Sequence, residues 1–159
     1  MNMHVLGVNI KEPKDAQEIF EMIEDYREKN EVFIQIFDHS KVVGEEHLLW
    51  AFNKAEDTFE QGNNRANDLE IETLLWSSGE WQIKEAIAKM GLDDKAENAA
   101  LLIGEEPSGF LNFMDWGRDD SLLEAGREKL KAFGIKEEEI ESVEKPEDLF
   151  FEKMSTSIL

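Results

Sequence analysis

The sequence contains no cysteine, so disulfides, thiolate nucleophiles and cysteine-ligated zinc are excluded. Positive charge is scarce. Lysine and arginine total 17 against 37 aspartates and glutamates, a formal net charge of −20. Such a surface repels nucleic acid and anionic membranes at long range, so DNA and membranes are not expected partners. No apolar run approaches the ~18 residues of a membrane span. The opening "MNMHVLGVNIKEP" lacks the basic and long apolar regions of a signal peptide, and the expected location is the cytoplasm.

Chemical motifs are also missing. No Gly-x-x-x-x-Gly-Lys or Gly-x-Gly-x-x-Gly stretch is available to cradle phosphates. Ser77 and Ser78 lack the Gly-x-Ser-x-Gly setting of a nucleophile. The histidines are His4, His39 and His47, and Glu46 and His47 are neighbours that point apart on a helix rather than sharing a face as metal ligands do. With so many carboxylates, no acid–base pair stands out, and a solvated acidic face is the better reading. No catalytic residue, metal ligand or cofactor is assigned, and the chain is read as a non-enzyme. A small metal-dependent or small-molecule enzyme using Glu46, His47 or His39 is the remote alternative.

What is present suits one domain over residues 1–159, with a hydrophobic fraction of 41% to build its core. "HVLGVNI" alternates like a half-buried strand. "EVFIQIFD" is apolar on both faces and belongs inside the sheet. "LEIETLLW" alternates Ile71, Thr73 and Leu75 against Glu70 and Glu72, a third strand, and "AALLIG" is a fourth. Helical spacing marks "PKDAQEIFEMIEDYREK", the long "KVVGEEHLLWAFNKAEDTFEQG", "EWQIKEAIAKM", "DSLLEAGREKLKAFG" and two short C-terminal segments, with "SGFLNFMDWG" as a helical turn or two. The predicted fold is α/β (α+β): one small mixed sheet of about four strands with helices packed on it and a helical C-terminal part. The residues from about 154 to 159 are polar and then apolar and allow a flexible tail.

Two surfaces are candidates for binding. On the long helix His47, Trp50 and Lys54 share a face opposite the stripe Leu48, Phe52, Ala55 and Phe59, and an exposed Trp is a natural interface anchor unless a second layer of the same protein covers it. The other is "LLWSSGEWQIKEAIAKMG". A Ser-Ser-Gly turn before a helix is ordinary capping. It also places helix N–H groups, a glycine that allows close approach, a Trp ring and a Gln amide together, as unpaired nucleic acid requires. Arg65, Lys84 and Lys89 lie near it in an otherwise acidic chain.

The stretch from Val42 to Gly91 resembles a known family on three pieces: "GEEHLLWAFNKAEDTF", "NNRANDLEIETLLWSSG" and "WQIKEAIAKMGL". The family's signals are a His-Leu pair at a helix start, a Glu-rich segment ending in Ser-Gly, then Gln-Ile and a helix with Ala-Ile. They fall here at His47-Leu48, Ser78-Gly79, Gln82-Ile83 and Ala86-Ile87. The chain is similar to the small KEOPS-complex subunit that binds that complex's atypical kinase, the PRPK-binding protein family, in its archaeal type. The resemblance implies a non-catalytic subunit of the machinery that makes threonylcarbamoyladenosine in tRNA. Its implied partners are the kinase/ATPase subunit and the 3′ CCA end of tRNA. The resemblance carries over Ser78, Gly79, Gln82 and Ile83, with Arg65 in the preceding connection; with Trp81 and Lys84 beside them these are the expected tRNA-binding set, and His47, Trp50, Lys54, Ile158 and Leu159 are the expected partner-binding set. One departure stands out: the family commonly has Arg immediately before Gln-Ile, and this chain has Trp81. A protein-only regulatory subunit without direct RNA contact is the alternative.

Overall fold

A computed structural model describes residues 2–157. Four strands form one open sheet in the order β2-β3-β1-β4, with β1 at His4–Ile10, β2 at Ile34–Phe37, β3 at Asn98–Ile103 and β4 at Trp116–Arg118. Every pairing is antiparallel, from His4 opposite Ile103 to Ile10 opposite Trp116. The expected α/β class with about four strands is therefore present, with three of the strands where the sequence suggested them.

Helices cover both faces because the central strands are apolar on both sides. Leu6, Val8, Ile34, Ile36, Leu101 and Ile103 pack against α1 (Ala16–Asn30) and α5 (Ser108–Met114) through Ile19, Ile23 and Phe110. The opposite face, with Val5, Phe37, Ala100 and Leu102, meets α2 (Glu45–Glu60), α3 (Leu69–Ser78) and α4 (Ile83–Met90). The C-terminal helices α6 (Arg127–Ala132), α7 (Glu137–Glu141) and α8 (Pro146–Ser157) close that side with Leu130, Phe133, Ile140, Phe150 and Met154. Helix α8 continues past the "PEDLFFEKM" stretch, and Met154 is buried.

Several expectations are corrected. "LEIETLLW" is helix α3, not a strand. Leu74, Leu75 and Ser78 are buried with Ile71 half-buried, a helical i, i+3, i+4, i+7 stripe, and Asp68 caps the helix by accepting from the Ile71 N–H at 2.8 Å. Glu70 and Glu72 looked like a wet face, but both are buried against specific partners. Strand β2 lies at the edge of the sheet rather than inside it, and its second apolar face is explained by α3: Gln35 Nε2 donates to the Glu70 carbonyl at 2.8 Å. Strand β1, expected to be half-buried, is covered on both faces, Val5 on one and Leu6, Val8 and Ile10 on the other, and is paired along both edges by β3 and β4. The "DWG" end of the presumed helical turn is β4, reached after Asp115 turns the chain with a φ of 58°. The long "DSLLEAGREKLKAFG" helix is split: a 3₁₀ turn at Asp120–Leu123 is capped by Asp119, and α6 starts only at Arg127.

Candidate functional site

The Ser-Ser-Gly turn belongs to the end of α3. Gly79 adopts a left-handed φ of 74°, and its N–H donates to the Leu75 carbonyl at 3.2 Å, closing the helix. Ser77 and Ser78 are fully buried, and their hydroxyls donate to the Leu74 and Leu75 carbonyls at 2.8 Å each. Ser78 Oγ also accepts from the Glu80 N–H at 3.0 Å. Both hydroxyls are thus occupied by the turn itself. Ser78, expected as an RNA contact, is buried and shapes the corner between α3 and α4.

His47 forms the floor under that corner. It is fully buried, so its expected place on an exposed face of α2 is corrected. Its Nδ1 accepts from the Val43 N–H at 3.0 Å, which leaves the proton on Nε2, and Nε2 donates to the Ser77 carbonyl at 2.8 Å. The ring sits edge-on to Phe150 and Phe133, with centroids 4.6 and 5.5 Å away. Burial pushes its pKa down from 6.5 to about 4, the Ser77 carbonyl opposing and Lys129 and Lys89 adding to the shift.

Beyond the corner the surface changes character. Trp81 is 52% exposed, and Gln82, Ile83 and Lys84 are exposed at the start of α4. Gln82 caps the helix without a side-chain bond, so the amides of the first turn face outward, as helix geometry requires. The Arg65 guanidinium lies over the Trp81 ring, 4.1 Å from its centroid. Fifteen residues separate the two in sequence, and the fold brings them together. Arg65 Nη1 is buried and has no hydrogen-bond partner among the described residues.

The loop that carries Arg65 is held by a residue that the sequence reading placed on a wet strand face. Glu72 is 1% exposed. One carboxylate oxygen accepts from the Arg65 and Ala66 N–H groups at 2.9 Å each, and the other from the Thr58 hydroxyl at 2.7 Å. Two glutamates inside the apolar run "LEIETLLW" were the available signal, since an acid in such a run is either on an exposed stripe or strongly hydrogen-bonded.

The second candidate surface is largely internal. Trp50 is half-buried, with ring centroids 5.9 Å from Trp76 and 6.1 Å from Phe151, and Lys54 Nζ lies 6.0 Å from the Trp76 ring. α3 and α8 thus supply the second layer over the α2 face, which leaves Glu45, Glu46, Asn53, Asp57 and Glu60 outermost. Ile158 and Leu159 lie outside the described residues. We expect Trp50→Glu to lower stability by about 2 kcal/mol through a lost aromatic junction and a carboxylate forced into it. Trp81→Ala should cost within about 1 kcal/mol. Urea unfolding of both variants checks the contrast.

Among the described residues no group of three or more His, Asp or Glu side chains is placed to hold a metal ion, and His47 has both ring nitrogens engaged. Among them, too, no helix is long and apolar enough to cross a membrane. The site therefore offers an aromatic face, a guanidinium, exposed helix N–H groups and an amide, held on a rigid corner. No curated protein matches the chain. The family model described as kinase binding protein CGI-121 matches it over residues 9–157.

Proposed function

This chain belongs to the CGI-121 family of kinase binding proteins, and from that premise we propose that it is the non-catalytic KEOPS subunit that binds the complex's kinase/ATPase and recruits tRNA by its 3′ CCA end. Kinase binding is supported by the family match across nearly the whole chain. The RNA role is supported by one observation above the others: the Arg65–Trp81 stack beside the open start of α4. Trp81 offers a face for an unpaired base, Arg65 a cation, Gln82 an amide for a base edge, and the first-turn N–H groups a phosphate seat. Gly79 and Ile83 keep the approach low and apolar, and Lys84 adds charge at its rim.

The protein works in the cytoplasm in this reading, with no bound cofactor. Reconstitution with the kinase and tRNA tests it. The wild type should enter a complex with both. Trp81→Ala should keep the kinase and lose most of the tRNA, by about fivefold or more if stacking contributes ~1–3 kcal/mol. A variant that still recruits tRNA as the wild type does would sink the assignment of the site. A kinase complex that forms while tRNA is never recruited would favour the protein-only alternative, which the acidic surface supports.

A further inference from the structure

Around Phe133 and Gly134, at the end of α6, the fold gathers lysines from separate elements. Lys89, from the last turn of α4, holds its ammonium 4.3 Å from the Phe133 ring centroid. Lys153, from α8, places Nζ 3.2 Å from where a side chain on Gly134 would begin. Lys129, within α6, donates to the Leu122 carbonyl at 2.8 Å. Lys41 pairs with Asp38 at 3.7 Å, and the Asp38 N–H bonds the Met90 carbonyl at 2.8 Å, which sets it beside the end of α4.

Carboxylates cancel this group only in part: Asp38 pairs with Lys41, and Glu139 and Glu152 line the same groove as Lys153. Glu80 lies 3.8 Å from Lys89. Among the described residues no carboxylate is within ion-pair distance of Lys129 or Lys153, in a chain with 37 acids; Glu124 and Asp38 act on Lys129 from farther away. Burial lowers the Lys89 pKa, Glu80 opposes, and Lys153 and Lys41 lower it further, which is the cost of packing like charges. Helix dipoles account for part of the arrangement, since Lys89 and Lys129 stand in last turns. They do not account for Lys153, because α8 has no basic residue in its last turn.

The group adjoins the corner already described. Glu80 follows Gly79 directly, and Phe133 stacks edge-on to His47, which holds the Ser77 carbonyl. Along α4, Ile83 and Lys89 are separated by about 9 Å at ~1.5 Å per residue, and Trp81 lies just before the helix, so the span from Trp81 to Lys89 suits a few nucleotides of extended strand. Phe133 itself is buried, so the patch presents ammonium groups rather than an apolar anchor for a protein partner. Lysine ammonium groups suit phosphates as point charges.

We propose that Lys89, Lys129 and Lys153, flanked by Lys41, form a phosphate-backbone patch that holds the sugar–phosphate chain of the RNA whose unpaired end docks at Arg65 and Trp81. The inference rests on the RNA reading above. Binding titrations of the full chain across salt, alone and with the kinase, test it with intact tRNA and with an unstructured RNA lacking CCA. Each neutralised phosphate contact contributes about 0.7–0.9 to the slope of log affinity against log salt. Lys89→Gln/Lys153→Gln should lower that slope by about 1.5 for both RNAs and keep the preference for the CCA tail. Lys153→Gln alone, an exposed change, should lower it by about 0.7–0.9 and guards against any disturbance of Phe133. Trp81→Ala should do the reverse, losing tail preference with the slope retained.

An unchanged slope in both lysine variants overturns the patch. So does a wild type that binds no RNA in any condition, or a loss confined to kinase binding, which would assign the lysines to a protein partner. A wild type without tail preference whose slope still depends on these lysines would overturn the tail reading and leave the patch standing.

Discussion

Glu72→Ala is expected to destabilise the protein by about 3 kcal/mol, because it strips the acceptor from a buried backbone N–H at Ala66 and a part-buried one at Arg65 and removes a buried partner of Thr58. The Arg65 and Ala66 amides each give a 2.9 Å bond to one Glu72 oxygen, and the Thr58 hydroxyl gives a 2.7 Å bond to the other. Thr58 retains its bond to the Ala55 carbonyl, so the deficit falls on the loop. That loop positions Arg65 over Trp81, and RNA affinity should fall with stability. Glu72→Gln keeps one acceptor oxygen and should lose less. Urea unfolding checks the first effect. Binding measured well below the melting temperature checks the second. Wild-type stability in Glu72→Ala would mean that water replaces the carboxylate at no cost.

His47→Leu should be comparably severe at neutral pH, about 3 kcal/mol, since it leaves the Val43 N–H and the Ser77 carbonyl without partners inside the core. Its pH signature is distinctive. The folded pKa of His47 is pushed down from 6.5 to about 4, so the folded protein holds the neutral ring while the unfolded chain takes up a proton first. The stabilisation is complete above about pH 6.5 and is lost as pH falls towards 4, in all about 3 kcal/mol at ~1.36 kcal/mol per pH unit. Protonation would also set an N–H on Nδ1 against the Val43 N–H, which needs an acceptor. Stability measured from pH 7.5 to 4 should fall more steeply in the wild type than in His47→Leu. Parallel curves would mean that His47 titrates normally. The carboxylates contribute equally to both proteins and drop out of the difference.

The strands "HVLGVNI", "EVFIQIFD" and "AALLIG" were legible because each is a short apolar run bounded by polar or turn residues. "LEIETLLW" was not, since Ile71, Thr73 and Leu75 match a period of two as well as Ile71, Leu74, Leu75 and Ser78 match a helix. Only the partners of Glu70 and Glu72 decide between them: Arg27 Nη2 at 2.7 Å from Glu70, and the loop amides at Glu72. Strand β4 is only Trp116–Arg118, too short for any pattern to show, and is specified by its pairing with β1. His47, Trp50 and Lys54 do lie on one stripe of α2, but local periodicity carries no information on the second layer that Phe133, Phe150 and Phe151 bring from the far end of the chain. At the start of α4, Trp81, Gln82, Ile83 and Lys84 are exposed as their local sequence suggested. The stacking of Arg65 on Trp81 was not legible, because it depends on a loop closed by Glu72.

The most direct test of the account is the affinity of the purified protein for one tRNA with and without its 3′ CCA, at low and moderate salt, alone and with the kinase. The account predicts binding that weakens steeply with salt and drops by at least tenfold on trimming, about 1.4 kcal/mol or more. Equal affinity for intact and trimmed tRNA, or no tRNA binding while the kinase complex forms, would contradict it and leave the corner at Gly79 a structural turn in a protein-only scaffold.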